Sequence, residues 1–153
     1  MLDAGCGQAD LLDYLVRQED APASYTGLEA VADFAAVAQI NCRQLHPTAR
    51  VITGDFVLEP HHLDTSAEVL VFCGSLNTLS PAQFYATLRR AYAAARQAVL
   101  FNFLCSPQLA GADWLHWHAP QAVLRFAHEL GATTTLIDDY LDGDCTIALW
   151  KTP

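Results

Sequence analysis

Leu2-Asp3-Ala4-Gly5-Cys6-Gly7-Gln8-Ala9-Asp10-Leu11-Leu12 is the stretch on which the fold turns. A short apolar strand runs into a glycine turn, and a helical pattern follows at once. Gly5 and Gly7 allow positive φ and let a ligand approach the backbone closely. A G-x-G pair alone is weak evidence, because many parallel-sheet proteins turn on glycine for structural reasons. Its neighbours along the chain give it meaning.

Outward from that turn, short apolar runs alternate with helical patterns. Asp10–Arg17 sets Leu11, Leu12, Leu15 and Val16 on one helical face. Strand-like Ser24–Leu28 leads to a helix over Val31–Leu45, with Phe34, Val37 and Ala38 expected inward. Arg50–Gly54 and Ala67–Cys73 read as strands, the second apolar enough to be buried on both faces. Ser80-Pro81-Ala82-Gln83 combines a cap, a proline at the first helical position and a capping-box partner, and starts a helix to about Ala95. Strand Ala98–Leu104 and helix Pro120–Leu130 come next. Thr133–Leu141 and Cys145–Trp150 flank Asp142-Gly143, a hairpin signal. The order predicts an α/β domain with a mostly parallel sheet, helices on both faces and a closing antiparallel pair.

The 153 residues suit one domain, 1–153, and 52% hydrophobic content suits a packed globule. A formal charge of −9 argues against a nucleic-acid surface, which needs clustered Lys and Arg. No apolar run approaches the ~20 residues that cross a bilayer, so no membrane is expected. Five cysteines (Cys6, Cys42, Cys73, Cys105, Cys145) form no C-x-x-C pair. They read as reduced thiols in a cytoplasmic protein, and no metal site is expected.

Three carboxylates sharpen the glycine turn. Asp3 ends the first strand, Glu29 the second in Tyr25-Thr26-Gly27-Leu28-Glu29, and Asp55 the third in Gly54-Asp55-Phe56. Parallel strands point their carboxyl ends to one rim, where ligands bind. Glu29 can accept both hydroxyls of a ribose, a role that nicotinamide cofactors share. A negative Asp3 beside the turn would repel a pyrophosphate, which instead wants helix-end N–H groups. Asp3 and Asp10 suit a cationic ligand. S-adenosylmethionine carries an ammonium, a sulfonium and a ribose, and no phosphate.

On those residues the chain resembles the class I S-adenosylmethionine-dependent methyltransferases. Leu2–Gly7 is similar to their first motif, Tyr25–Glu29 to their ribose-binding strand, Gly54–Phe56 to their adenine-binding turn, and Cys73-Gly74-Ser75-Leu76-Asn77 to the opening of their fourth strand onto the methyl group. The resemblance implies a Rossmann-like, doubly wound, seven-stranded sheet with its last strand antiparallel beside the fifth. It also implies site roles. Asp3, Gly5, Cys6, Gly7 and Asp10 would surround the methionine end and Glu29 the ribose. Asp55 and Phe56 would meet the adenine, and Gly74 and Ser75 the methionine part. Ala9 stands where the family often has a third glycine.

The same resemblance implies S-adenosylmethionine as cofactor, S-adenosylhomocysteine as product, no metal, and in-line transfer to a small-molecule acceptor. A nucleic-acid substrate is not expected, since Gly74–Thr78 lacks the Pro-Pro-aromatic motif of DNA amino-methylases. Substrate-side candidates are Asn77, Asn102, Trp114, His116, Trp117 and His118, with Asn102 read chiefly as an amide tying strand ends together. No residue identifies itself as a catalytic base. Two other classes stay open: a cofactor-binding domain without catalysis, and an NAD-dependent oxidoreductase. The family's N-terminal helical cap has no counterpart here. A longer parent protein, a homodimer or partner subunit over the gap, or a minimal domain would each account for that.

Overall fold

The computed structural model of the protein describes residues 1–152. Its strands are β1 (Leu2–Ala4), β2 (Thr26–Glu29), β3 (Arg50–Thr53), β4 (Val69–Phe72), β5 (Ala98–Leu104), β6 (Thr133–Ile137) and β7 (Asp144–Trp150). Its helices are α1 (Asp10–Arg17), α2 (Ala32–Leu45), α3 (Pro81–Ala94) and α4 (Pro120–Glu129), with one 3-10 turn over Pro60–Leu63. The seven strands form one sheet in the order β3-β2-β1-β4-β5-β7-β6. All neighbours are parallel except β7, which runs antiparallel to β5 and β6. Strand order reverses between β1 and β4, and a crevice opens at such a switch point. The expected Rossmann-like architecture is therefore the observed one.

Local chemistry accounts for the elements. Ser80 caps α3 in a full capping box: Gln83 N–H donates to Ser80 Oγ at 3.4 Å and Ser80 N–H to Gln83 Oε1 at 3.0 Å. The larger core lies under α3 and α4, where Phe84, Leu88, Val123 and Ala127 meet Leu70, Phe72, Phe101, Phe103, Ile147 and Leu149. Alternation along β4, β5 and β7 sends these side chains to one face. On the other face, Leu12 of α1 and Ala38 and Cys42 of α2 pack with Cys6 and Tyr25 in a smaller core over β1–β3. Beyond α1 that face is thinly covered. Leu11, Val71, Leu100 and Thr146 line an apolar cavity of about 270 Å³ there.

Two expectations need correction. Phe34 and Val37 are exposed; the inward face of α2 is Ala35, Ala38 and Cys42. Small side chains let the helix lie close to β2 and β3, so they take the buried stripe. The closing hairpin is not a two-residue turn. β6 ends at Ile137 and residues 138–143 form a wider loop. In that loop Gly143 sits at φ +90°, where its missing Cβ leaves room for Leu109 and Ser106.

Candidate functional site

The crevice is built where the β1 and β4 turns touch. Gly5 has φ +79°, and a Cβ there would lie 2.3 Å from the Cβ of Ser75. Only glycine fits that position. Ser75 Oγ donates to the Ala4 carbonyl at 2.6 Å, stitching β4 to β1. On the other side, Gly5 N–H and Cys6 N–H donate to the Leu28 carbonyl at 2.7 and 3.1 Å. Glu29 completes the clamp: Oε2 accepts from Gly7 N–H and Oε1 from Val31 N–H, both at 2.9 Å. At the end of β3, Asp55 Oδ1 accepts from Val57 N–H at 2.7 Å and Leu58 N–H at 3.1 Å, which leaves Oδ2 for a ligand.

These turns enclose a cavity of about 580 Å³. Of the residues expected there, Gly5, Gly7, Glu29 and Asp55 line it, as do Phe56, Gly74 and Ser75. Phe56 also packs edge-on against Phe72, 5.4 Å between centroids, which fixes its ring in the wall. The N–H groups of Gly5, Cys6 and Gly7 are all spent within the protein. A phosphate-binding turn would instead aim such groups outward.

Asp3, Cys6 and Asp10 lie outside this lining. Asp3 is 1% exposed, behind the wall, with Oδ2 accepting from Tyr25 Oη at 2.7 Å and Oδ1 buried without a partner. Burial pushes its carboxyl up to about 6; the Tyr25 hydrogen bond opposes this, and the Glu29 and Asp10 charges add to it. The repulsion expected of Asp3 is thus not delivered at the cavity surface. At the cavity itself the glycine turn keeps its N–H groups paired to Leu28 and Glu29, so none of the three is free for a phosphate oxygen. Cys6 points its sulfur into the smaller core, where a Cβ on Gly27 would come within 2.7 Å of it. Burial raises its thiol to about 12, so it is inert. Asp10 is exposed on α1, beside Asp13, Arg17 and Asn41 in a shallow polar depression.

Residues beyond the motifs also line the cavity: Ala30, Val31, Phe34, Val57, Thr78 and Leu79. Phe34 follows Glu29 by five residues, so the first turn of α2 brings it back over the strand end. Being on an apolar face, it looked like core.

The substrate-side candidates do not gather at this cavity. Asn77 is structural, its Oδ1 accepting from Leu104 N–H at 3.1 Å and its carbonyl from His116 N–H at 2.8 Å. His118 is buried and stacked on Phe84, 3.9 Å between centroids, and burial lowers its pKa. Trp114 and Trp117 are exposed. Asn102 ties strand ends together, as the sequence suggested: Oδ1 accepts from Gly74 N–H at 2.6 Å, and Nδ2 donates to Asp144. Elsewhere, Glu59, His61 and His62 hold three donor atoms within 4.8 Å of one another, with Glu59 and His61 exposed and His62 Nε2 3.3 Å from Glu59 Oε2.

Comparison with known proteins agrees with this architecture. A search of curated protein sequences finds no match. Among solved structures, magnesium protoporphyrin IX methyltransferase from Synechocystis PCC 6803, with bound S-adenosylhomocysteine, superposes with a TM-score of 0.75 at 14% identity, over 99% of this chain and 73% of that one. An O-methyltransferase family protein from Burkholderia thailandensis gives 0.77 at 10% identity, over 99% of this chain and 50% of that one. At such identities the likeness is one of fold. The sequence model of the methyltransferase domain matches residues 1–98, and with the β3-β2-β1-β4-β5-β7-β6 sheet and its glycine turn in place, the chain belongs to the class I S-adenosylmethionine-dependent methyltransferase family.

Proposed function

We propose that the chain binds S-adenosylmethionine in the Gly5–Glu29–Asp55 cavity and transfers its methyl group directly to a small-molecule acceptor in the cytoplasm. One observation carries this reading. Glu29 and Asp55, at adjacent strand ends, flank a glycine turn whose N–H groups are already paired inward. That arrangement favours a nucleoside with hydroxyls and an amino group and disfavours one with phosphates. The fit is physical. Gly5 leaves no room for a side chain against Ser75, Gly7 and Gly74 face open space, and the cavity carries both carboxylate and apolar wall.

The residues divide the work by chemistry. Glu29, after its two backbone bonds, keeps lone pairs for ribose hydroxyls. Asp55 Oδ2 accepts from an adenine amino group while Phe56 and Val31 supply apolar faces. The turns at Gly5, Gly74 and Ser75 hold the amino-acid end. The bound cofactor supplies a methyl carbon already activated by its positive sulfur. The protein's part is to align the acceptor and exclude water, effects worth roughly 7–11 kcal/mol in well-oriented reactions. A base is required only for an acceptor that arrives protonated.

The test is transfer of labelled methyl from S-adenosylmethionine across a panel of phenols, amines, thiols and carboxylates. Turnover of any member supports the enzyme. Tight S-adenosylhomocysteine binding with no transfer across the panel favours a non-catalytic binding domain.

A further inference from the structure

We propose that Asp144, acting through Asn102, is a positioning residue that sets the Gly74 turn at the methyl end of the cavity. This rests on the reading that the cavity holds S-adenosylmethionine. Gly74 stands two residues past the end of β4 with φ +73°, and a Cβ there would meet nothing within 4 Å. Its glycine therefore serves the backbone conformation and not a steric need. The conformation is fixed by Gly74 N–H donating to Asn102 Oδ1 at 2.6 Å, across 28 residues.

A side-chain amide is two-faced. Turned by 180°, Asn102 would present an NH2 to Gly74 N–H, donor against donor. Asp144 prevents this. Its Oδ1 and Oδ2 lie 3.2 and 3.3 Å from Asn102 Nδ2, and an ionised carboxylate only accepts. One orientation of Asn102 satisfies both neighbours. Asp144 is itself buried and fixed by Tyr140 Oη, which also meets Thr146 Oγ1 at 2.8 Å. The chain of donors runs Gly74 to Asn102 to Asp144, with Tyr140 closing on the same carboxylate. It links the β6–β7 loop to the backbone beside the reacting methyl group. Its members touch two cavities: Gly74 lines the cofactor cavity, and Asn102 and Tyr140 line the apolar cavity on the open sheet face.

The experiment is S-adenosylhomocysteine calorimetry on the wild type, Asp144→Ala, Asp144→Asn and the swap Asn102→Asp/Asp144→Asn, with the Gly74 amide followed by NMR in the free proteins. The swap keeps the net charge and restores the order of donors: Asp at 102 accepts from Gly74 N–H in either orientation, and Asn at 144 donates to it. Asp144→Ala and Asp144→Asn should weaken binding about tenfold and shift the Gly74 amide toward a weaker hydrogen bond. The swap should recover affinity to within about threefold and return the amide resonance. A swap no better than either single variant overturns the proposal, as does Asp144→Ala with wild-type affinity and an unmoved amide. A wild type that binds no S-adenosylhomocysteine overturns the cofactor reading, while the Gly74 amide still decides whether Asp144 orients Asn102.

Discussion

The two halves of the rim are built by different means. On the β1–β3 side each functional group belongs to the strand it ends: Gly5 and Gly7 to β1, Glu29 to β2, Asp55 to β3. Their bonds are made within the turn or to the next strand. On the β4–β7 side, Gly74 depends on Asn102, and Asn102 on Asp144 a further 42 residues along. The first half is a set of local solutions placed side by side. The second exists only once β7 has inserted antiparallel beside β5. Substitutions in the first half should therefore act singly, and those in the second as a coupled set.

The largest effect is expected at Gly5. A Cβ there meets Ser75 at 2.3 Å at positive φ, so Gly5→Ala combines overpacking with backbone strain. It should cost about 2–5 kcal/mol, read as a lower urea midpoint with unchanged slope. Next is Glu29→Gln, which loses the charge and can accept from only one side of the clamp. S-adenosylhomocysteine affinity should fall at least about tenfold, while circular dichroism stays as in wild type. Equal losses from Glu29→Gln and from the second-half variants, with no coupling in either, would erase the contrast.

Asp3 gives a pH effect of intermediate size. Its folded pKa of about 6 lies above the unfolded value of 3.8, so the native state holds the proton more tightly. The stability from this group is complete below about pH 4 and is lost as pH rises through about 6. Asp3→Asn should flatten that decline, which amounts to about 3 kcal/mol at most. Denaturation of both proteins at pH 4 and pH 8 measures it. The smallest effect is at Ala9, a non-glycine residue at φ 68°. Ala9→Gly relieves left-handed strain and loses one buried methyl, so a gain of about 1 kcal/mol or less is expected in the same denaturation assay.

The contrast also explains what was legible in the sequence. The alternation of strands and helices, the glycine turn, Glu29, Asp55 and the Ser80 capping box could be read because each is local; the place of β7 beside β5 came only with the family resemblance. Asp3 lies in the middle of β1 and not at its end, and its direction is not readable from the sequence. Strand alternation puts it against Tyr25 on the buried side, and no motif records that. Phe34 reads as core in the sequence because it is large and apolar on a helix, whereas α2 buries its small residues. The Tyr140–Asp144–Asn102 group was hidden by Asp142-Gly143. That pair signals a tight hairpin, whereas the loop opens over residues 138–143. The tryptophans and histidines of the 114–118 segment looked like a ligand lining; His118 is held on Phe84 and both tryptophans face outward.

The central claim is that the cavity accepts a nucleoside and rejects pyrophosphate, because Gly5, Cys6 and Gly7 spend their N–H groups inward and Glu29 faces the turn. Competition calorimetry of S-adenosylhomocysteine against NAD tests it most directly. The account predicts saturable one-to-one binding of S-adenosylhomocysteine that excess NAD does not displace. Binding of NAD with equal or greater affinity at the same site would contradict it.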